Sequence, residues 1–158
     1  MNWQILGAGA IGCLFASHLK QQGQQVSLLT KTSYLAQPVK LTDHAGQAHQ
    51  AVLDGITQIA PNTDVLLVCL KAFQVVPALT ALAKHLPVTT RLVLMHNGMG
   101  TLEPLTKLLP QHRIFSATTT HGALLTAPFT VTHTGVGNTI IGGQNKDKAQ
   151  GEIIATIL

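Results

Sequence analysis

The stretch Leu6-Gly7-Ala8-Gly9-Ala10-Ile11-Gly12 decides how the rest of the chain is read. Its glycines fit G-x-G-x-x-G. They follow a short segment, Asn2 to Leu6, that reads as a buried strand. They open a segment, about Ala10 to Gln22, that reads as a helix stopped by Gly23. Gln25 to Thr30 reads as a second strand, which completes a βαβ unit with an expected right-handed crossover. In such a unit the first glycine permits the tight turn, the second lets backbone approach a pyrophosphate, and the third lets helix and strand pack closely. The helix N-terminus adds free N–H groups and the positive end of its dipole. Alone the pattern is weak; in this context it points to a dinucleotide. The alternative is three small residues that only pack a helix against a strand.

The second strand indicates which dinucleotide. An NAD site places an acidic residue about 20 residues on, to hold the ribose 2′-hydroxyl. Here that stretch is Leu29-Thr30-Lys31-Thr32-Ser33, and no acid occurs before Asp43. Lys31 and its hydroxyl neighbours suit a 2′-phosphate, so the expected cofactor is NADP(H). The plain alternative is a solvated surface lysine.

Further along, Val39 to Leu53 alternates around Ala45-Gly46 and reads as a hairpin. Val65 to Leu70 is a continuous apolar run, hence a strand buried on both faces. Phe73 to Leu86 has helical spacing, with Pro77 tolerable only near the first turn. Arg91 to Met95 and Ile114 to Thr119 read as strands, and Thr101 as the cap of a short helix through about Leu109. Phe129 to His133 and Thr139 to Ile141 read as short strands, and Lys146 to Leu158 as an amphipathic helix. Strands alternating with helices predict an α/β fold of the Rossmann type, a mainly parallel sheet with helices on both faces.

Polar residues recur at the strand ends, where open α/β sheets bind ligands. Lys71 follows Val65–Leu70; Asn97, in His96-Asn97-Gly98-Met99-Gly100, follows the next strand; Thr118, Thr119, Thr120 and His121 follow the one after. A carboxamide at Asn97 can hold a ribose and a substrate hydroxyl together, and glycines beside it let backbone come close to a ligand. Asn-Gly is also a common turn, which is the competing reading.

The 158 residues are 46% hydrophobic and 10% charged, a composition that excludes disorder and suits one packed domain. The longest apolar run falls far short of the ~20 residues of a membrane helix. Ile5 to Ala16 lacks the positive n-region of a signal peptide, so a cytoplasmic protein without membrane partners is expected. Net charge is +4, but the ten Lys and Arg are scattered, which argues against nucleic acid and fits a small anionic ligand. The eight histidines form no metal-binding motif, so no metal is expected. Cys13 and Cys69 lack metal or redox spacing and read as buried, reduced thiols. A helix N-terminus can lower a thiol pKa, which leaves a reactive Cys13 open.

The segments LGAGAIG, CLKAFQV, HNGMGT and TTTHGA together resemble the ketopantoate reductase (2-dehydropantoate 2-reductase) family, in order from Met1 to about Gly143. The resemblance implies NADPH-dependent reduction of 2-dehydropantoate, a small 2-keto acid, to pantoate, a step towards coenzyme A. It implies that Gly7, Ala8, Gly9, Ala10, Ile11 and Gly12 bind the pyrophosphate and Lys31 the 2′-phosphate. It also implies that Lys71 lies near the cofactor, that Asn97 touches both NADPH and substrate, and that the Ala123 backbone meets the nicotinamide side. In the family an all-helical second domain supplies the general-acid lysine and most substrate contacts. Residues 1–143 are then the NADP-binding domain, and 144–158 begin a helix leading towards a domain absent from this chain. The last helix carries no stop signal, which agrees. No catalytic residue can be assigned, and the chain alone is expected to bind NADP(H) but to be nearly inactive. Ile153, Ile157 and Leu158 would lose cover, which favours self-association. Two alternatives stand: a reductase of another 2-keto acid, and a non-catalytic NADP(H)-binding module.

Overall fold

The computed structural model describes residues 1–96, 100–143 and 147–158. Strand β1 (Asn2–Leu6) leads through the glycine turn into helix α1 (Ala10–Gln21) and back to β2 (Gln25–Leu29). Gly23, at φ +78, turns the chain between them. The hairpin β3 (Tyr34–Thr42) and β4 (Ala48–Ile56) comes next, then β5 (Val65–Val68), α2 (Ala72–Leu82), β6 (Arg91–Met95) and α3 (Leu102–Leu108). The chain finishes with β7 (Ile114–Thr119), β8 (Gly122–Ala127), β9 (Thr130–Gly135), β10 (Thr139–Gly142) and α4 (Lys148–Ile157).

Among the described residues the strands form one sheet in the order β10-β7-β6-β5-β1-β2-β4-β3-β9-β8. Most neighbours run parallel; the β3–β4, β8–β9 and β7–β10 pairs are antiparallel. From β1 the chain moves one way to β2, and from β5 the other way to β6. Two crossovers of one hand that step in opposite directions must lie on opposite faces. Accordingly, α1 packs on one face and α2 with α3 on the other.

The sheet's apolar side chains divide between the two faces with period two. Val65 and Leu67 join Cys13, Leu14, Phe15 and Leu19 of α1, while Leu66 and Val68 join Val75 and Leu79 of α2 and Leu105 of α3. Burial on both faces is why β5 reads VLLV without a polar residue. Gln4 interrupts β1 on the α2 side and is satisfied there. Its Oε1 accepts from the Ala60 N–H at 2.8 Å and from the Thr63 hydroxyl at 2.6 Å.

Several expectations need correction. The hairpin is longer than Val39–Leu53, because its strands begin at Tyr34 and end at Ile56. Its turn is built by Asp43, whose Oδ1 accepts from the N–H groups of Ala45 and Gln47, with Gly46 at φ +83. Strand β8 is an element that the sequence reading lacked. Pro77 lies inside α2 rather than in its first turn. It deprives the Phe73 carbonyl of a partner, and Phe73 is exposed, so water can take that place. Thr101 precedes α3 but makes no side-chain cap bond; its Oγ1 lies 2.9 Å from Nε2 of His96 instead. The apolar face of α4 is also narrower than expected. Ile154 is fully buried, Ile157 and Leu158 pack partly buried against the α1-side core, and only Ile153 stands half exposed. An Arg113–Asp147 ion pair at 3.2 Å fastens the start of α4 to the start of β7.

Candidate functional site

Strands β1 and β5 are neighbours, but the loops leaving them diverge to α1 on one face and α2 on the other. That divergence opens a crevice at their carboxyl ends, the position where doubly wound sheets bind ligands. Each glycine of the loop has a distinct role there. Gly7 takes φ +112, and a Cβ on it would lie 2.7 Å from the Cys69 carbonyl oxygen. A Cβ on Gly12 would lie 1.9 Å from the carbonyl oxygen of Gly7 itself. Around Gly9 the same construction meets nothing within 4 Å. Gly7 and Gly12 are thus demanded by the protein's own packing, and Gly9 leaves bare backbone facing open space.

Gly9 caps α1, with no side-chain cap bond and no acidic residue in the first turn. The first N–H groups of the helix therefore point outward without a side-chain acceptor, as an anion site requires. They border a cleft of about 380 Å³ lined by Gly9, Ala10 and Ile11, by Cys69, Leu70, Lys71 and Ala72, by Met95 and His96, and by Ala117, Thr118, Thr119 and His121. The ends of β1, β5, β6 and β7 thus meet in one space. Lys71 is exposed at the start of α2 and is one of the cleft-lining residues, and its backbone N–H donates to Gln74 Oε1 at 3.3 Å. His96 is anchored through Thr101, and its Nδ1 is buried with no partner among the described residues.

Two expected site residues stand outside the cleft lining. Lys31 is exposed in the turn after β2, two strands from β5 and outside the cleft lining; the Thr30 hydroxyl shapes that turn by donating to the Thr32 carbonyl at 2.8 Å. Ala123 lies in β8 opposite His133 and packs against the α1-side core. Asn97 lies outside the described residues. A larger hollow of about 550 Å³ sits between α3 and β10, with Thr106, His112, Arg113 and Ser116 on its walls. It touches neither the glycine loop nor Lys71, so the chemistry assigns the site to the smaller cleft.

Local sequence did not disclose the lock behind the cleft. His121, in the turn from β7 to β8, places Nδ1 3.0 Å from Nε2 of His133 and 3.2 Å from the Gly137 N–H. Phe15 meets its ring edge-on at 6.0 Å, and His18 and His44 pack around His133. Burial, then the neighbouring His133, hold the His121 pKa below its ordinary value; His18 is lowered by burial, then by His133, His121 and His49. These rings come from α1, the β3–β4 turn, the β7–β8 turn and β9, so no local spacing marks them. No group of His, Cys, Asp and Glu among the described residues is arranged to hold a metal.

Cys13 is fully buried, and burial pushes its thiol up to about 11. Cys69 is pushed up to about 12 by burial and by Cys13. Burial outweighs the helix terminus, so the reactive-thiol reading of Cys13 is corrected.

These features define a Rossmann-type α/β domain with its glycine loop at the switch point of the sheet. The sequence profile of the family described as ketopantoate reductase PanE/ApbA matches residues 3–146, and the chain belongs to that family. A 2-dehydropantoate 2-reductase of Vibrio cholerae is 38% identical over 157 residues, covering 99% of this chain and 52% of the relative. The chain thus spans about half the length of the curated relatives it matches. In fold it resembles a PanE/ApbA family ketopantoate reductase from Ralstonia eutropha, with a TM-score of 0.84 at 23% identity over 99% of this chain and 53% of that one. It also resembles a D-mandelate dehydrogenase solved with NADH and anilino(oxo)acetate, with a TM-score of 0.82 at 24% identity over 99% and 53%. No helix among the described residues is long and apolar enough to cross a membrane.

Proposed function

We propose that this chain is the NADP(H)-binding part of a cytoplasmic 2-dehydropantoate 2-reductase, which reduces ketopantoate to pantoate on the route to coenzyme A. The observation that carries the reading is the bare Gly9 backbone at the uncapped start of α1, opening into the cleft that Lys71 borders. Family membership and the name shared by the curated relatives support the reaction.

The residues fit the cofactor. The loop Gly7–Gly12 and the N–H groups of α1 receive the pyrophosphate, because they offer donors and positive dipole with no side chain in the way. Lys31 supplies charge for the 2′-phosphate, and the turn contains no acid to repel it. Lys71 adds a cation at the mouth. Asn97 holds ribose and substrate hydroxyl, and the Ala123 backbone flanks the nicotinamide side. When bound, NADPH supplies the hydride for the keto carbon. The alkoxide that forms there needs a proton donor, and the resemblance assigns that donor to a second domain. A polypeptide of these 158 residues therefore binds NADP(H) and turns over ketopantoate at a negligible rate.

The test is a titration of the chain with NADPH and NADH, for wild type and Lys31→Ala. NADPH preferred by wild type, with the preference lost in the variant, supports the reading; NADH bound as tightly as NADPH refutes it. A second reading, an NADH-dependent reductase of another 2-keto acid, draws on the fold shared with D-mandelate dehydrogenase. The same titration separates the two.

A further inference from the structure

His121 does more than fill the end of the cleft. Its Nδ1 accepts the Gly137 N–H at 3.2 Å, and a backbone amide can only donate. His133 presents Nε2 to the same atom at 3.0 Å. With Nδ1 occupied as an acceptor from two sides, a neutral His121 carries its proton on Nε2. No protein partner of that Nε2 occurs among the described residues. His121 is one of the residues that line the cleft.

The surroundings hold the ring in this state. Phe15 packs edge-on at 6.0 Å and His133 lies at 5.1 Å. Gly137 cannot be replaced without disturbance, because a Cβ there would lie 2.4 Å from the backbone nitrogen of His121 and 2.3 Å from the Thr120 carbonyl carbon. His18 of α1 and His44 of the β3–β4 turn face His133, and His49, bound to Asp43 at 2.8 Å, lies behind His18. Lys71 and His96 share the cleft. Protonating Nδ1 would set it against the Gly137 N–H, which can only donate, and so costs the ring that hydrogen bond.

The layout along the sheet suggests what Nε2–H meets. Lys31 follows β2, the glycine loop follows β1, and His121 follows β7, beyond β5 and β6 on the far side. If the 2′-phosphate lies towards Lys31 and the pyrophosphate at Gly9, the β7 end is left for the nicotinamide half. We propose that His121 is a positioning residue: its Nε2–H, fixed by Gly137 and His133 behind it, donates to the carboxamide oxygen of the nicotinamide. This rests on the NADP(H) reading above.

The test compares NADP⁺, which survives acid, with 2′-phospho-ADP-ribose, which lacks the nicotinamide. Calorimetry with wild type, His121→Phe and His121→Gln gives the affinities, and long-range ¹H–¹⁵N spectra of the wild type give the tautomer. The expected results are an Nε2–H tautomer at pH 7.5 and NADP⁺ affinity roughly 3- to 10-fold lower in His121→Phe. Recovery of most of it is expected in His121→Gln, which keeps an N–H donor, with no change for the fragment. Between pH 7.5 and 5.5, wild-type affinity for NADP⁺ should fall more than that for the fragment, and His121→Gln should not show this difference. An Nδ1–H tautomer, or equal NADP⁺ affinity of wild type and His121→Phe, overturns the assignment while the cofactor reading stands. Failure of wild type to bind either ligand overturns both.

Discussion

The carbonyl oxygen of Gly7 stands 1.9 Å from the place a Cβ on Gly12 would occupy, so the turn closes on its own helix with no room for a methyl group. Gly9, between them, has no neighbour in the same construction. One motif thus contains a glycine required by packing and another left free for a ligand.

That contrast predicts two different failures. Gly12→Ala should cost about 3 kcal/mol or more, because backbone must move, lowering Tm by roughly 6–12 °C. Gly9→Ala has φ −80, which alanine accepts, and should leave Tm within about 2 °C. Its NADPH affinity should nevertheless drop at least about tenfold, or 1.4 kcal/mol. Thermal melts and calorimetry of both variants check this; equal losses of stability would show that Gly9 is structural too.

Lys31 is exposed, and no ion pair of it occurs among the described residues. Lys31→Ala should therefore leave stability within about 0.5 kcal/mol. Its NADPH affinity should fall about tenfold and its NADH affinity stay unchanged. A parallel loss for both cofactors would remove the 2′-phosphate from its role.

Acid should weaken the fold through His18 and His121. Both are held below the ordinary pKa, first by burial, so the folded protein binds fewer protons than the unfolded chain. Their penalty is absent above the unfolded value of about 6.5, grows as pH falls through the folded values, and then levels off. Urea unfolding at pH 7.5 and 5.0 should show a lower midpoint in acid, and His18→Asn should flatten the difference. Asp43 works in the same direction at lower pH: its hydrogen bonds with His49 and the Gln47 backbone lower its pKa, so the stability it contributes is lost as pH falls through the carboxylate range.

The two thiols should be slow. At pH 8 a thiol at about 11 has roughly 100-fold less thiolate than one at the reference 9.0. Native Cys13, which is fully buried, should therefore react with iodoacetamide at least about 100-fold more slowly than in urea, and Cys69, partly buried at the cleft, should also be slowed by its raised pKa. Rapid native labelling of either would contradict the packing around Gly7.

Much of the site was legible because its signals are local. The βαβ unit announces itself in seven consecutive residues, and β5 in an apolar run that only a doubly covered strand tolerates. Lys71 could be placed in the cleft because it follows that run directly. What escaped depends on distant partners. Thr101 looks like a cap until His96, five residues earlier, takes its hydroxyl. Strand β8 is mostly exposed, so GALLTA shows no alternation, and only its pairing with β9 makes it a strand. His121 was visible as a polar strand end, but the groups that fix its proton, His133 and Gly137, lie 12 and 16 positions away.

The pairing of β3 with β9 joins Lys40 to Thr130 across the sequence. A ribosome adding 5–20 residues per second needs roughly 5–18 s to make the chain between them. Through that interval the β3–β4 hairpin has one long, bare edge open to other nascent chains. Val39 and Leu41, fully covered in the finished molecule, sit on that edge strand. Pro38 and Lys40, on the same strand, are residue types that discourage edge-to-edge pairing, so the strand carries its own protection until residues 130–132 emerge.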